Sequence, residues 1–231
     1  NNAIEKSKHA QREWERVPQP TRAEHVKLLI PLLEQNRDEI AQLYVKEQGK
    51  TLAEAYGEID KSIAFIDYMT SLSMSNKGEV LQNSVENEII QITKKPIGVT
   101  AGIVPWNAPI MVLMRKVIPA VVTGCSVVIK PSEETTLLTL KLAELFRAST
   151  IPAGLIQIVP GTGETVGTQL ATHKDIQLIS LTGSMRAGKS VYEHAAQTVK
   201  KVNLELGGNA PVIVTPHADI DKAVAVSYTH L

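Results

Sequence analysis

The order of apolar segments after residue 96 constrains the fold of this chain more than any other feature. Short apolar runs alternate there with segments of helical pattern. The runs are IGVTAGIVP (97–105), CSVVIKP (125–131), LIQIVPG (155–161), IQLISLTG (176–183), VNLELGG (202–208) and APVIVTP (210–216). Each has the length and composition of a buried strand. Apolar strands that alternate with helices indicate a parallel sheet with helices on both faces, so the predicted fold class is α/β.

The N-terminal part of the chain is predicted to be helical. Thr21 with Glu24, and Thr51 with Glu54, match the capping box, in which a threonine caps a helix and a glutamate three residues later reaches back. The first box is predicted to open one long amphipathic helix that stops at Gly49. The second is predicted to open another helix.

The chain is interpreted as a single domain over residues 1–231, long enough to bury a large core. Residues 1–80 would supply N-terminal helices before the α/β core of residues 98–231. Residues 86–97 alternate in period two and would form one strand of a hairpin.

Composition and charge disfavour several classes of partner. The 24 basic and 24 acidic residues give a formal net charge of zero, so neither nucleic acid nor a membrane surface is expected as a partner. No apolar run approaches membrane-spanning length, and the charged opening residues do not resemble a signal peptide. The single cysteine, Cys125, fits a reducing compartment, so a cytoplasmic location is expected. The six histidines lack HxxxH and HxH spacing, so no metal site is predicted.

Ligands of parallel α/β sheets bind outside the carboxyl ends of the strands. The loops at those ends contain VPWNAP (104–109), KPSE (130–133), PGTGETVG (160–167), LTGSMRAG (181–188) and ELGG (205–208). Candidate functional residues are therefore expected in these five loops.

Two of the patterns in these loops are ambiguous. GSMRAGKS (183–190) matches the phosphate-loop pattern GxxxxGK[ST], but no neighbouring strand ends in the aspartate that a nucleotide triphosphatase uses to hold magnesium. A triphosphatase is therefore the less favoured interpretation, although any helix start can hold a phosphate.

Glu205 is the only charged residue in an apolar run, where a buried carboxylate is costly unless it is paired or has a functional role. The alternative is a strand end with this carboxylate in solvent.

Four of the loops, VPWNAP, KPSE, LTGS and LELGG, occur in an order and at intervals that resemble the aldehyde dehydrogenase superfamily over nearly the whole chain. The segments around them are most similar to the lactaldehyde and glycolaldehyde type. The resemblance implies a Rossmann-like sheet and NAD-dependent oxidation of a small aldehyde to a carboxylic acid, through a thiohemiacetal and a thioester. It also implies a homodimer or homotetramer in the full-length protein, with the hairpin as an oligomerisation element.

The resemblance assigns catalytic roles to two residues. Glu205 would be the general base that activates water against the thioester, aided by partial desolvation at its strand end. Asn107 would donate its side-chain amide to the developing oxyanion. The alternative for Asn107 is a turn residue ahead of Pro109.

The resemblance also assigns a cofactor site. Lys130 and Glu133 would hold the adenosine ribose, and the Glu133 carboxylate would repel a 2′-phosphate, so NAD is favoured and NADP is the alternative. Glu134, next to it, is expected to point elsewhere. The other implied cofactor positions are Ile103, Val104, Pro105 and Trp106 beside the cofactor, Gly163 and Gly167 on the adenine side, Gly183 and Ser184 at the pyrophosphate, and Leu206 and Gly207 at the nicotinamide ribose. Ser132, within KPSE, is a further implied cofactor-binding residue.

The sequence departs from the family pattern in a few places. Ala108 replaces the usual aromatic residue and Asn209 the usual lysine after ELGG, without removing a catalytic group. Cys125 opens its strand at the end away from the ligand loops, so a small buried residue is expected there and not the nucleophile. The nucleophilic cysteine is expected beyond Leu231, after the ending SYTHL, which does not continue the preceding helix in the family manner. An inactive NAD-binding or oligomerisation fragment is the alternative function. The acyl-CoA-forming branch is disfavoured because it generally lacks this glutamate.

Overall fold

The computed structural model describes residues 1–230, and its N-terminal part is a layer of five helices. These are α1 (Asn2–Trp14), α2 (Gln19–Lys27), α3 (Leu29–Gln35), α4 (Arg37–Gln48) and α5 (Leu52–Ser73). The predicted cap of α5 is confirmed, because the Thr51 side chain accepts from the Glu54 N–H and the Glu54 carboxylate accepts from the Thr51 N–H.

The other predicted helix start and the single long helix are wrong. The helix α2 begins at Gln19, so Thr21 lies inside its first turn and caps nothing. Proline is well tolerated in a first turn, and Pro20 explains the earlier start. The run then breaks after Lys27, because Pro31 has no N–H to donate to the carbonyl four residues earlier. It breaks again at Asn36, whose side-chain amide donates to the Leu32 carbonyl over 2.8 Å.

A separate two-stranded hairpin follows the helical layer. Strand β1 (Glu79–Gln82) pairs antiparallel with β2 (Ile89–Ile92), and every position of both strands is exposed. The strand predicted within residues 86–97 is therefore present but shorter. The role of the hairpin in oligomerisation stays a prediction.

The α/β core is a five-stranded parallel sheet in the order β5-β4-β3-β6-β7, which confirms the predicted fold class. Its strands are β3 (Val99–Ile103), β4 (Ser126–Lys130), β5 (Ile156–Ile158), β6 (Ile176–Gly183) and β7 (Lys201–Leu206). The helices are α6 (Pro109–Val122), α7 (Thr136–Ala148), α8 (Thr168–Thr172), α9 (Met185–Ala196) and α10 (Ile220–His230). The chain builds outward from β3 to β5, then returns to place β6 on the other side of β3. The strand order therefore reverses between β3 and β6.

Both faces of the sheet are covered by buried apolar side chains. One cluster joins the N-terminal layer, α6 and α7 to one face, with Tyr44, Leu113 and Ile129 fully buried. A second cluster joins α8 and α9 to the other face, where Leu170 and Ile179 are buried. The strand register aligns Ile103 with Lys130 and with Leu181, so the loops that follow these strands leave the sheet at the same end.

The strand predicted over residues 210–216 is wrong. Residues 207–215 have no regular structure, and Val212, Ile213 and Val214 are exposed. A strand needs a neighbour for its hydrogen bonds, and this segment pairs with no strand of the described chain. Pro211 also lacks an N–H. The predicted last helix is present as α10, which includes residues 227–230 of the SYTHL ending, whereas Leu231 lies outside the described residues.

We expect two glycine-to-alanine changes to shift stability in opposite directions. Gly49 ends α4 at φ 87°, in the left-handed region, so Gly49→Ala should lower the free energy of unfolding by about 1–2 kcal/mol. Gly57 lies inside α5 with nothing within 4 Å of an added Cβ, so Gly57→Ala should raise it by about 0.5–1 kcal/mol. Urea unfolding of both variants measures the two changes in the free energy of unfolding. Changes of the same sign would contradict the left-handed end of α4 at Gly49 or the open helical position of Gly57.

Candidate functional site

A cleft of about 1670 Å³ opens at the carboxyl ends of the parallel strands. It lies where the strand order reverses, which is where open α/β sheets bind ligands. All fifteen predicted site residues line it. They are Ile103, Val104, Pro105, Trp106, Asn107, Lys130, Ser132, Glu133, Gly163, Gly167, Gly183, Ser184, Glu205, Leu206 and Gly207.

One end of the cleft is built around the Glu133 carboxylate. Lys130 ends β4 and is only 3% exposed, and its Nζ donates to Glu133 Oε2 over 3.0 Å. The Gly163 N–H donates to Glu133 Oε1 over 3.2 Å. Burial of the carboxyl works to raise its pKa, but these hydrogen bonds outweigh burial and hold the pKa of Glu133 below its ordinary value. The carboxylate is therefore charged and fixed in orientation. Glu134 lies outside the cleft lining, as predicted.

The phosphate-loop pattern does not form a phosphate loop. Ser184 caps α9 by accepting from the Ala187 N–H over 3.2 Å, and the helix already begins at Met185. Gly188 and Lys189 therefore lie within the helix. An added Cβ on Gly188 would come within 2.6 Å of the Leu206 side chain, so this glycine allows α9 to pack against β7. Lys189 is exposed and does not line the cleft.

Glu205 lies one residue before the end of β7, where its register partner is Thr182. Its side chain reaches the cleft but is exposed. The predicted partial desolvation is therefore wrong for this chain. The physical reason is position, because β7 is the edge strand of the sheet and pairs, within the described residues, with β6 alone.

Asn107 belongs to the loop between β3 and α6, two residues before Pro109 at the start of the helix. Its side chain is exposed in the cleft, beside Trp106, which is 54% exposed. The backbone adjoins the helical layer, where Tyr44 Oη lies 3.3 Å from the Asn107 carbonyl oxygen. The Asn107 side chain is thus accessible in the cleft, on a loop next to that layer.

Lys116 is a cleft residue that the sequence analysis missed. Its Nζ donates to Ser180 Oγ over 2.8 Å. Burial lowers the pKa of Lys116 to about 8, although the negative charge of Glu205 acts to raise it. The available signal was helical spacing, since Val112, Arg115 and Lys116 lie on one face of α6 and all line the cleft.

Other polar residues of the cleft were also missed. Side chains two residues apart on a strand point to the same face of the sheet, so Asn203 lies on the same face as Glu205 in β7. For the same reason Ser180 lies on the same face as Thr182 in β6. The further polar and charged lining residues are Arg115, Thr162, Glu164, Thr168, Arg186, Ser190 and His194.

Cys125 is buried just before β4, at the end of the sheet away from the cleft, as predicted. Among the described residues, no group of three or more histidine, cysteine, aspartate or glutamate side chains could hold a metal ion. Within residues 1–230, every helix is too short or too polar to cross a membrane.

We expect the Lys116 ammonium to titrate near pH 8. In Glu205→Gln its pKa should fall further, because the negative charge that favours the ammonium is removed. Lysine side-chain NMR across the alkaline range measures both midpoints. Glu193→Gln, a change on the exposed face of α9, is the matched control and should leave the titration unchanged. A titration midpoint at the ordinary lysine value would contradict the burial of Lys116. A midpoint that is the same in Glu205→Gln would contradict the effect of the Glu205 charge on Lys116.

Known proteins resemble this chain in sequence. The Aldehyde dehydrogenase family matches residues 1–230. The 3-sulfolactaldehyde dehydrogenase of Pseudomonas putida is 40% identical over 211 residues, which are 91% of this chain and 43% of that protein. The lactaldehyde dehydrogenase of Escherichia coli K12 is 39% identical over 222 residues, 96% of this chain and 46% of that protein. The chain spans less than half the length of these curated relatives.

Solved structures resemble its fold. A 3,6-anhydro-L-galactose dehydrogenase in complex with NAP has a TM-score of 0.91 at 40% identity, covering 96% of this chain and 47% of that one. A betaine aldehyde dehydrogenase from Staphylococcus aureus in complex with NAD+ has a TM-score of 0.91 at 34% identity, covering 96% and 45%. The resemblance noted from the four loops is confirmed, and by the extent of the family match the chain belongs to the aldehyde dehydrogenase family.

Proposed function

We propose that this chain forms the dinucleotide-binding part of an enzyme that oxidises a small aldehyde to a carboxylic acid with NAD. The observation that carries the proposal is the convergence of all fifteen expected positions, drawn from five separate loops, on one cleft. Lys130 and Glu205 lie near the carboxyl ends of strands that are three sheet positions apart, roughly 14 Å at the usual strand spacing. An extended dinucleotide can bridge that span.

The cleft residues fit such a group. Lys130 and the Gly163 N–H orient the Glu133 carboxylate, which leaves lone pairs for two ribose hydroxyls. At Gly163 and Gly207 an added Cβ would meet nothing within 4 Å, so both leave open space beside the backbone at the cleft. The start of α9 at Ser184 offers the N–H groups and positive dipole end that attract a phosphate. When bound, NAD supplies the hydride acceptor.

The residues at the other end act on the substrate. Asn107 donates its amide to the carbonyl oxygen as negative charge develops there. Glu205 takes a proton from water, whose oxygen attacks the thioester carbon and releases the acid and a thiol. Cys125 is buried away from the cleft, so the thiol comes from a segment other than these 231 residues. The chain alone would then bind the cofactor without oxidising an aldehyde.

The relatives support the reaction class and leave the finer specificity as a proposal. A succinate-semialdehyde dehydrogenase of Escherichia coli K12, 38% identical over 222 residues, is named for NADP(+), and the betaine aldehyde dehydrogenase structure holds NAD+. For this chain NAD is proposed because of the Glu133 charge, with NADP as the alternative. Self-association into a dimer or tetramer through β1 and β2 is proposed from their exposed apolar residues, such as Val80 and Ile89.

The proposed NAD preference predicts that the chain binds adenosine 5′-monophosphate more tightly than its 2′-phosphorylated analogue. We expect a ratio of about 10-fold or more, since like charges at close range cost several kcal/mol. Glu133→Gln should narrow the ratio, whereas Glu134→Gln, the same change one residue later, should not. Calorimetry with each nucleotide measures this. Equal binding of both nucleotides by the unmodified chain would refute the assignment.

The proposed base predicts a separation of the two half-reactions. The test enzyme is this chain joined to the downstream segment of the Escherichia coli lactaldehyde dehydrogenase. There, Glu205→Gln should retain a burst of NADH and slow steady-state turnover by about 100- to 10,000-fold, because the base acts in hydrolysis. Glu193→Gln is the control, expected to leave both phases unchanged. Unchanged turnover in Glu205→Gln would make Glu205 a solvent-facing strand residue. Aldehyde oxidation by the 231-residue chain alone would refute the need for another thiol.

A further inference from the structure

Glu58 is a buried carboxylate that does not line the cleft. It lies within α5 and is 6% exposed. Four donors surround it. Its Oε1 accepts from the N–H groups of Ile110, at 2.9 Å, and Met111, at 3.0 Å. Its Oε2 accepts from Tyr44 Oη at 2.6 Å and from Lys50 Nζ at 3.1 Å. A buried carboxylate is tolerated only with such partners, and this one satisfies donors from three different elements.

Two of those donors belong to the first turn of α6. The helix lacks a side-chain cap of its own, because Ala108, at the capping position, has no side-chain oxygen to accept from the first N–H groups. Glu58 supplies the missing acceptor from α5, 52 residues before Ile110 in the chain. The negative charge also lies at the positive end of the α6 dipole, where it is stabilised.

The same network reaches the loop that carries Asn107. Tyr44 is fully buried, and its hydroxyl lies between Glu58 Oε2 and the Asn107 carbonyl oxygen, at 2.6 and 3.3 Å. Burial and the neighbouring carboxylate raise the pKa of Tyr44, so the phenol stays protonated and remains a donor. The hydroxyl has one hydrogen, and the shorter bond directs it to Glu58, so the Asn107 carbonyl oxygen receives only the weaker share of it. The loop is thus held chiefly through the start of α6, and Tyr44 acts mainly by fixing the Glu58 carboxylate.

We propose that Glu58, together with Tyr44, is a positioning residue that fixes the Asn107 amide where the substrate oxyanion develops. The inference rests on the proposed function, since it gives Asn107 its role. An exposed asparagine on a loop can contribute to catalysis only if its backbone is rigid. The hydrogen bonds of Glu58 provide that rigidity from outside the cleft, without contact to substrate or cofactor.

Glu58→Gln tests the charge while keeping the volume. The NH2 group of the glutamine cannot accept a hydrogen bond, so the donors on one of the two carboxylate oxygens would lose their acceptor. Lys50 would also lose its ion-pair partner. In the joined enzyme we expect the rate of the NADH burst to fall about 10- to 100-fold, as for a small misplacement of a catalytic group. Binding of NAD should change less than about 2-fold. Glu54→Gln, on the exposed first turn of α5, is the matched control, because glutamine also completes a capping box.

A double-variant cycle separates positioning from general stability. If Glu58 acts through Asn107, then Glu58→Gln should slow the burst in the unmodified enzyme but hardly at all in an Asn107→Ala background. Equal slowing in both backgrounds would overturn the proposal and leave Glu58 a structural residue. If Glu58→Gln does not fold, Tyr44→Phe takes its place in the same cycle, with the same two outcomes.

A further measurement does not depend on activity. In the 231-residue chain, amide hydrogen exchange at Ile110 and Met111 should accelerate at least about 10-fold in Glu58→Gln and stay unchanged in Glu54→Gln. Unchanged exchange would overturn the positioning network itself. Accelerated exchange in a chain whose joined enzyme never oxidises aldehydes would instead refute the proposed function, while the network stands.

Discussion

The cleft depends on one kind of interaction. Carboxylates of the N-terminal helical layer cap the first turns of helices in the α/β core. Glu58 accepts from the first N–H groups of α6, and Glu47 accepts from the N–H groups of Leu137 and Leu138, at 2.7 Å each, in the first turn of α7. Neither helix has a side-chain cap of its own. Both begin where a strand has just delivered a cleft loop, so two glutamates set the starting points of the helices beside those loops.

The other end of α6 is held from the same layer. Arg22 Nε donates to the Val122 carbonyl over 3.0 Å, and Trp14 Nε1 donates to the Val121 carbonyl over 2.8 Å. A carboxylate at the start and a guanidinium at the end match both poles of the helix dipole, each worth ~0.3–1 kcal/mol and up to about 2 when partly buried. The helix that carries Lys116 is therefore clamped along its axis, and the N-terminal helices are part of the frame of the site.

The sequence predicts the location of the site well and its supporting contacts poorly. The carboxyl ends of parallel strands lie at one end of the sheet, so placing the strands was enough to put Lys130, Gly183 and Glu205 along the same cleft. Glu58 could not be found this way, because the N–H groups that it caps lie 52 and 53 residues further along the chain and its helix has an ordinary amphipathic pattern. The strand predicted at 210–216 failed for a related reason, since an apolar run becomes a strand only beside a partner that a local pattern cannot supply.

The exposure of Glu205 links the fold to the chemistry. A carboxylate becomes an effective base near neutral pH when water is excluded from it, and an edge strand does not exclude water. The segment after β7 is also exposed, with Ile213 85% exposed. Contiguous apolar exposure of this kind marks a surface that another surface covers. Under the proposed function, the chain supplies the position of the base, and a surface that packs against β7 supplies its desolvation. Under the proposed function, that covering surface also has to carry the thiol, so nucleophile and active base would be completed in one step.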